Sequence, residues 1–514
     1  MITKPSVLFL FIIALMPLIA SGIRKYVPDD YPTIQEAINN IDPFDTIVVR
    51  PGIYNENLVI TDKSVNLFSE FFIANDTSVI SQTIIDGNQA GRVIYVNNNN
   101  FQSCIINGFT IRNGMANSGG GILCSNHSLV RIEHCKVRQN SSTEYGGGIG
   151  VLWNWSIVTI SDCEITNNTA STSGGGVVVG NFTRVSITDC LISGNYSGGE
   201  GGGIWNCTAP AALDYKFGLS VNRCVITNNT AYFGGGFVNV WTPNEAKIIN
   251  STFYNNHANE YSEIGTYGGN SLWIVNTIIY NDSALISHVI GMGALYSSTM
   301  RFDNCLIFGG EGTIHLAGND EILIYSPTNI DTIPYFVDSL NGDFHPEPFS
   351  PCIDKAIDTM FIHPHVVQPG EYFHIRIGDV FQIAEVGSVL AGDSLVYIPP
   401  DQYYGLMPDI GAFEYNPPIT VDEIQQAGGL LIYPNPARNV LTIILPEESD
   451  KSRLSIVDLN GKILYEEIIA SNAPLITLDI SFLSPGMYIV RWANVSTPSG
   501  SARLFGYDLI FLCR

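Results

Sequence analysis

The sequence predicts an all-β repeat protein, and three observations carry this prediction. Glycine contributes 49 of the 514 residues, while only 14% of the residues are charged. A glycine triplet recurs five times, at Gly119–Gly121, Gly146–Gly148, Gly174–Gly176, Gly201–Gly203 and Gly234–Gly236. A further landmark, called here the anchor position, is occupied by Phe109, Cys135, Cys163, Cys190, Cys224, Ser251, Thr277 and Cys305. Successive anchors are 26, 28, 27, 34, 27, 26 and 28 residues apart, a period that is typical of a solenoid.

Each repeat is expected to consist of short strands. Apolar and polar residues alternate around the anchor, as in Cys163 and Ile165, and the runs are bounded by glycine and asparagine. Such alternation indicates strands and excludes helical repeats, so neighbouring repeats should pair in parallel. The pattern resembles the right-handed parallel β-helix of the pectate-lyase-like superfamily, and the resemblance covers roughly residues 26–330.

The corners and the interior of this β-helix account for the composition. We expect the glycine triplets to form one sharp corner. Asn168, Asn195, Asn229 and Asn256, five residues after their anchors, are expected to form another in the left-handed backbone region. The anchor cysteines should point inward as free thiols. Disulfides are the alternative, because stacked coils lie only ~4.8 Å apart.

Residues 1–22 are typical of an export signal. Lys4 supplies the positive charge, Val7–Ile19 is almost wholly apolar, and Ala20–Gly22 are small residues suited to cleavage. A membrane anchor is the alternative, but thirteen apolar residues interrupted by Pro17 are too few to span a bilayer. We therefore expect export without a transmembrane anchor.

A short helix is predicted to cap the first coil of the β-helix domain, residues 23–330. Thr33 and Glu36 have the spacing of a capping box. An apolar stripe of helical period follows, formed by Ile34, Ala37, Ile38 and Ile41. A cap is required because the end of a solenoid otherwise exposes its backbone and core.

Residues 331–416 resemble the closing segment of such β-helices, with a long insertion over residues 359–406. The insertion holds His363, His365 and His374. Imidazoles bind metals, but His-Pro-His is expected to lie in a solvated loop, and no metal site is predicted. Residues 417–429 read as a linker.

Residues 430–514 are predicted to form a small β-sandwich domain. Its strand-like segments are separated by turns at Asn435-Pro436, Asn460-Gly461 and Pro485-Gly486. The combination resembles the C-terminal sorting domain of type IX secretion substrates in Bacteroidetes-type bacteria. This resemblance implies the type IX machinery as a partner and a location outside the cell, secreted or attached to the surface. The last strand departs from the family because it is not rich in lysine.

Three carboxylates are candidates for catalysis. Asp162 and Glu164 flank one anchor, and Asp189 precedes the next, so they should be neighbours on adjacent coils. Carboxylates this close can share a proton or bind Ca²⁺. A polar ladder at a solvated bend is the favoured interpretation, so Ca²⁺ is at most a weak cofactor candidate. The hydrolase signature is also incomplete, since Arg376-Ile377 is followed by Gly378.

Two sets of aromatic residues are candidates for ligand binding. The outward position three residues after the anchor becomes aromatic in the last coils, at Tyr254, Tyr280 and Phe308. Trp153, Trp155, Trp205 and Trp241 cluster shortly after glycine triplets, and Trp153, Trp205 and Trp241 are taken as the candidates. Aromatic stacks at coil spacing are suited to sugar rings, although packing of the insertion or the closing segment over the Tyr254 column is the favoured interpretation.

The sequence therefore predicts an exported β-helix protein that binds polysaccharide or another extracellular polymer. One alternative is a polysaccharide lyase or glycoside hydrolase acting on acidic glycans, and another is a structural or adhesive surface protein. The net charge of −24 argues against a nucleic-acid partner. It also disfavours a polyanionic substrate unless Ca²⁺ intervenes.

Overall fold

The computed structural model describes most of the chain up to residue 415 and the strands beyond it. The described residues are 22–42, 45–98, 101–153, 155–208, 218–240, 245–281, 288–293, 298–367, 372–377, 380–385, 389–397, 403, 407–415, 431–433, 440–444, 451–458, 463–470, 475–480, 483, 486–494 and 503–512. The predicted export signal and the predicted linker lie almost entirely outside them. No helix in these ranges is long and apolar enough to cross a membrane. The chain divides into two compact units, residues 1–303 with 307–331, and residues 304–306 with 332–514.

The first unit is a parallel β-helix in which each complete coil visits four sheets in turn. One coil runs through Leu129–Glu133 in sheet 1, Lys136–Arg138 in sheet 2, Ser141–Tyr145 in sheet 3 and Ile149–Val151 in sheet 4. The chain then returns to sheet 1 one coil further on. Every pairing within the four sheets is parallel, for example Leu129 with Ile157, so equivalent residues of successive coils lie side by side.

The strand bounds follow this order throughout the unit. Sheet 1 contains Arg24–Val27, Thr46–Val49, Val65–Ser69, Ser103–Asn107, Leu129–Glu133, Ile157–Ser161, Arg184–Thr188, Leu219–Asn222, Glu245–Ile249, Ser271–Val275, Thr299–Asp303 and Ile322–Tyr325. Sheet 2 contains Gly52–Asn55, Thr83–Asp86, Thr110–Arg112, Lys136–Arg138, Glu164–Thr166, Leu191–Ser193, Val225–Thr227, Thr252–Tyr254, Ile278–Tyr280 and Leu306–Ile307. Sheet 3 contains Met115–Ser118, Ser141–Tyr145, Thr169–Ala170, Tyr196–Ser197, Thr230–Phe233 and His257–Glu260. Sheet 4 contains Leu58–Thr61, Ile94–Asn97, Ile122–Ser125, Ile149–Val151, Val177–Val179, Ile204–Asn206, Phe237–Val240, Ile264–Tyr267, Ile290–Met292 and Ile314–Leu316.

Helices are short and lie near the two ends of this unit. The predicted cap is the helix Ile34–Asn40, and the Thr33 hydroxyl accepts a hydrogen bond from the Glu36 backbone N–H at 3.1 Å. Ile34 and Ala37 are fully buried, which confirms the predicted stripe. The other helical segments of the described chain are Phe71–Ala74, Ser78–Gln82 and the 3₁₀ turns Gly310–Thr313 and Ser339–Asn341.

The glycine triplets form a corner as predicted, but the asparagines have a different role. The first glycine of each triplet has positive φ, from 59° at Gly119 to 70° at Gly174. Asn168 and Asn195 were expected in the left-handed region, but that conformation belongs to the preceding residues, Asn167 and Gly194. The prediction for the four asparagines is therefore wrong by one residue, because their side chains turn into the interior instead.

These inward asparagines form a buried ladder from Asn140 to Asn256. The Asn195 carboxamide oxygen accepts hydrogen bonds from the backbone N–H and the side-chain Nδ2 of Asn168, both at 3.0 Å. Its own Nδ2 donates to the Ile165 carbonyl and to the next rung, Asn229, both at 2.9 Å. Each rung thus satisfies backbone groups at a corner that has lost regular strand pairing, where unpaired groups would be costly.

The ladder ends on a buried carboxylate, Glu263. Its Oε1 accepts from the Asn256 backbone N–H at 2.9 Å and from Asn281 Nδ2 at 2.7 Å, and its Oε2 accepts from Asn256 Nδ2. Glu263 occupies the register position of Gly236, the last glycine of the preceding triplet. Burial raises the pKa of Glu263 to about 8, although the asparagine donors lower it.

The anchor cysteines point inward as expected. Cys135, Cys163 and Cys224 are at most 2% exposed, and each thiol lies 3.1–3.2 Å from the carbonyl two residues earlier. Ser251 repeats the contact with its hydroxyl, at 2.8 Å. All nine cysteines that the structure describes are free, and burial raises the pKa of Cys104 to about 12.

The second unit consists of antiparallel strands. Hairpins are formed by Phe336–Asp338 with Asp343–Pro346, Thr359–Val367 with Val389–Tyr397, and Tyr372–Ile377 with Val380–Glu385. His363, His365 and His374 lie on these strands, so the predicted loop is wrong. The strand of His363 and His365 pairs on both sides of Pro364, and its register shifts between Ile362 and His365, which accommodates the proline. The positions of these histidine side chains are not part of the description.

The C-terminal part has the two predicted sheets. One contains Leu431–Tyr433, Val440–Ile444 and Leu475–Asp479; the other contains Lys451–Asp458, Ile463–Ala470, Gly486–Asn494 and Arg503–Leu512. Their core consists of Leu441, Ile443, Leu454, Ile456, Leu478, Ile480 and Leu483.

The ladder should be a principal source of stability in the first unit. N195A removes four hydrogen bonds and leaves buried groups of Ile165, Asn168 and Asn229 without their partners. We expect a loss of at least about 3 kcal/mol, measured as a lower Tm by circular dichroism. The matched control is N117A at an exposed strand position. Equal Tm values for the two variants would contradict the structural role of the ladder.

Glu263 should make stability depend on pH. Its folded-state pKa, about 8, lies above the ordinary value of 4.5. Folded protein therefore retains a proton that unfolded protein releases above pH 4.5, and the stabilisation is lost as the pH rises towards 8. E263Q should flatten the profile of Tm between pH 5 and 8. The control is E144Q at an exposed residue, and a wild-type slope in E263Q would refute the assignment.

Candidate functional site

The predicted aromatic column lies on the outward side of sheet 2. Tyr254 and Tyr280 occupy equivalent strand positions, and their rings stack with centroids 5.8 Å apart and planes within 8°. Phe308 continues the column, with its centroid 4.7 Å from that of Tyr280 and a tilt of 49°. The rings are half-buried. Because the tyrosine faces are turned towards each other, the surface presents mainly ring edges.

The three candidate carboxylates are near neighbours, but two have basic partners. Glu164 lies 2.9 Å from Lys136 Nζ, and Asp189 makes two 2.7 Å hydrogen bonds with the Arg223 guanidinium. Burial, aided by Asp189, raises the pKa of Asp162, although His134 lowers it. Among the described residues, no group of three or more His, Cys, Asp or Glu side chains could hold a metal ion.

The tryptophan candidates have different environments. Trp205 is 8% exposed and packs into a cluster outside sheet 4. Its ring stacks on Tyr145 at 5.8 Å, and its Nε1 donates to Glu200 at 2.8 Å. Trp153 is 51% exposed. Trp241 lies outside the described residues. Trp153 is therefore the described candidate tryptophan with an accessible ring.

A second group of exposed rings was not found by the sequence analysis. Phe101, His127, Trp155 and Phe182 occupy the same position in four consecutive coils, two residues before the equivalent first residues of sheet 1 strands. Phe101, Trp155 and Phe182 are 42–44% exposed, and His127 is half-buried. We call this row, together with Trp153, the aromatic ridge.

The ridge side chains sit on an unusual backbone. Each ring residue has positive φ, between 51° at Phe101 and 63° at Trp153. For a bulky side chain this left-handed conformation costs about 1–2 kcal/mol, and Gly or Asn would form the same turn with less strain. Phe101, Trp155 and Phe182 keep more than two-fifths of their surface in solvent, so only part of each residue contributes burial energy against that cost. Strained positions of this kind are enriched at functional sites.

The ridge rings form two pairs on a fixed turn. Phe101 meets His127 edge to face at 5.3 Å, and Trp155 stacks on Phe182 at 6.0 Å with planes within 17°. Beneath the ridge, the buried Ser128 and Thr183 hydroxyls donate to the Ser125 and Gly180 carbonyls at 2.5 and 2.7 Å. The rings are therefore preorganised rather than carried on a loose loop.

A signal for the ridge does exist in the sequence. Each of its four in-register residues precedes an anchor by eight residues, as Trp155 precedes Cys163. The constant offset is hidden when the repeats are aligned forward from the anchors and the glycine triplets, because the turn after sheet 4 varies in length.

Two family models match the chain. Residues 69–253 match the model described as right handed beta helix region, and residues 431–504 match the secretion system C-terminal sorting domain. No curated protein matches the chain. A solved structure with some similarity is that titled "Crystal structure of pectate lyase Pel9A". It has 14% sequence identity and a TM-score of 0.29, over 74% of this chain and 91% of that chain.

The coil geometry and the first match define the class: this is a right-handed parallel β-helix protein, as the sequence predicted. The second match places it among proteins that carry a type IX secretion sorting domain. The chain is therefore exported, to the cell surface or beyond it. The parallel β-helix and the sorting domain that the sequence predicted are confirmed.

The strained ridge predicts that function and stability are separable there. F182N replaces a left-handed, exposed phenylalanine with a residue that tolerates this backbone, so the Tm should not fall. W205A removes a buried ring and should lower stability by about 3–5 kcal/mol. Both are measured by thermal unfolding of the full chain. A fall in F182N comparable to that in W205A would mean that the ridge rings are structural.

Proposed function

We propose that this exported β-helix protein binds an extracellular polysaccharide, which lies across successive coils along the aromatic ridge. The observation that carries the proposal is the row of rings on left-handed backbone at Phe101, His127, Trp155 and Phe182, three of which are 42–44% exposed. A ligand that stacks on these rings would account for large side chains at positions where Gly or Asn forms the turn with less strain.

A sugar polymer suits this surface better than an aliphatic or protein partner. Sugar rings offer apolar C–H faces and polar rims, and aromatic faces flanked by hydrogen-bonding groups are complementary to both. Such a group is present next to His127, where the Asn126 carboxamide donates from Nδ2 to Asn97 Oδ1 at 2.7 Å. Among the ridge residues, Trp153 and Trp155 have the largest rings and should contribute most to the binding energy.

Repetition supports a polymer rather than a single sugar. Equivalent rings recur with each coil, at a coil spacing of about 4.8 Å, so adjacent units of one chain can contact adjacent rings. Once one sugar unit is bound, the rigid scaffold holds the next unit close to the next ring at a high effective concentration, so weak contacts combine into a higher overall affinity. Short oligosaccharides should therefore bind much more weakly than long ones.

The net charge favours a neutral polymer on the ridge. The chain carries a formal charge of −24, which repels polyanions at long range. A neutral polysaccharide avoids that penalty and relies on stacking and hydrogen bonds, for which the ridge is suited.

Ridge variants test this proposal on a glycan array. W155A and F182A should each weaken binding of the recognised polysaccharide at least about tenfold, because each removes apolar ring surface that faces solvent on the outside of the stacked pair. The matched control is Y232A, another exposed ring, 55% accessible, on sheet 3. Release of reducing ends or unsaturated products is measured in parallel, with and without Ca²⁺.

Each outcome of that experiment has a meaning. Binding without product release supports a binding protein, and release of products from an acidic glycan would replace the proposal with the enzyme alternative. Absence of signal on all polysaccharides would remove it in favour of a structural or adhesive role. Equal loss in Y232A would mean that the ridge is not the site.

A further inference from the structure

The outward column of sheet 2 begins with charged side chains before it becomes polar and then aromatic. The strand register aligns Asp86, Arg112, Arg138, Thr166, Ser193, Thr227, Tyr254 and Tyr280 on successive coils. Arg112 and Arg138 are therefore direct neighbours, on strands about 4.8 Å apart. Like charges in directly opposed positions destabilise a sheet, so their pairing calls for an explanation.

A single carboxylate, Asp86, lies at this end of the column, and Arg112 and its neighbours use it fully. Its Oδ2 accepts from Arg112 Nε at 2.7 Å and from Asn113 Nδ2 at 2.8 Å, and its Oδ1 accepts from the Asn88 backbone N–H at 2.9 Å. Although burial opposes the effect, these donors lower the pKa of Asp86. Asp86 is also two strands away from Arg138.

Arg138 has no such partner within the described chain. Its Nε is buried and finds no hydrogen-bond acceptor there. The acid on the neighbouring strand, Glu164, is engaged by Lys136 Nζ at 2.9 Å. A buried donor without a protein acceptor calls for an explanation. Three cations, Arg112, Lys136 and Arg138, thus share two carboxylates in a chain that is strongly acidic elsewhere.

Several other arginines have either a carboxylate or an aromatic ring as a partner. Carboxylate partners lie within 2.9 Å of Arg50, Arg223 and Arg301, and Arg131 pairs with Glu133. Arg24 and Arg92 lie over the rings of Phe72 and Tyr95. Arg138 has neither kind of partner among the described residues, and a second guanidinium, that of Arg112, stands on the adjacent strand.

We propose that Arg138 and Arg112 form an anion site on sheet 2 that binds a sugar carrying an oxyanion, either a carboxylate or a sulfate ester. The guanidinium of Arg138, whose Nε is buried, donates hydrogen bonds to two oxygens of the anion. Arg112 keeps its Nε on Asp86 and contributes its remaining N–H groups. The bound anion also relieves the repulsion between the two guanidinium groups.

The neighbouring coils favour a sugar as the carrier of the anion. Thr166 and Ser193 continue the column next to Arg138 and are half-buried, so hydroxyl groups flank the site on its C-terminal side. Hydroxyls both donate and accept hydrogen bonds, as sugar ring substituents do. The site lies on a different sheet from the turn that bears the ridge, and its assignment does not depend on the proposed function.

Isothermal titration of the full chain with four probes tests this site. The probes are galacturonate, galactose 6-sulfate, neutral galactose and inorganic sulfate. Wild-type protein should bind the two anionic sugars in preference to galactose, and R138Q should weaken them at least about tenfold. R138K should recover only part of the affinity, because an ammonium lacks the planar fork. R50Q, at a half-exposed arginine paired with Asp29 and Glu70, is the matched control.

Three results would overturn the proposal. One is unchanged affinity in R138Q with a wild-type Tm, and a second is equal affinity for galactose. Binding of inorganic sulfate without either acidic sugar is the third, since that would be an adventitious ion only. W155A should leave these titrations unchanged while it weakens polymer binding, so failure here is distinguishable from failure of the ridge.

Discussion

The parallel pairing of one coil on the next is the constraint on which the rest of this structure depends. At about 4.8 Å per coil, each side chain of the first unit has the equivalent side chains of two other coils as its neighbours. A residue type is therefore suited to a position only if its side chain can pack next to an identical side chain on the adjacent coil. Carboxamides satisfy this condition by donating to and accepting from one another, as Asn168 and Asn195 do. Thiols satisfy it by being small, and aromatic rings by stacking.

Charged groups meet the same constraint least easily, and they are placed accordingly. Arg223 stands next to Asp189 and Lys136 next to Glu164, so opposite charges alternate between coils. Glu263 is buried without a cation; burial raises its pKa so that it keeps a proton near neutral pH, and Asn256 and Asn281 donate hydrogen bonds to its oxygens. Arg112 beside Arg138 is an exception to this alternation, which is the reason it points to something outside the chain.

The repeat made much of the fold predictable, while the site was harder to predict. Period and alternation are local signals, and they were enough to predict the parallel coils, the inward cysteines and the glycine corner. The prediction for Asn168 and its equivalents was wrong because asparagine suits both the left-handed turn residue and the inward residue that follows it. The two positions are adjacent in the chain, so the residue type does not distinguish them. The ridge was missed because its turn varies in length when read forward from the triplets. Trp205 and Trp153 differ in exposure although both are tryptophans. Tyr145 and Glu200 cover Trp205, and these contacts depend on the strand register.

The constant offset between the ridge and the anchors has an evolutionary consequence. A segment that spans one anchor period carries one exposed ring, one inward anchor and one asparagine rung, as the coil of Trp155, Cys163 and Asn168 does. Tandem duplication of such a segment would insert a whole coil whose neighbours are already compatible with it. The aromatic ridge would lengthen by one ring and the interior by one layer in the same event. Under the proposed function, gene length would set the length of polymer that fits the ridge, because each added coil repeats contacts that the neighbouring coils already make.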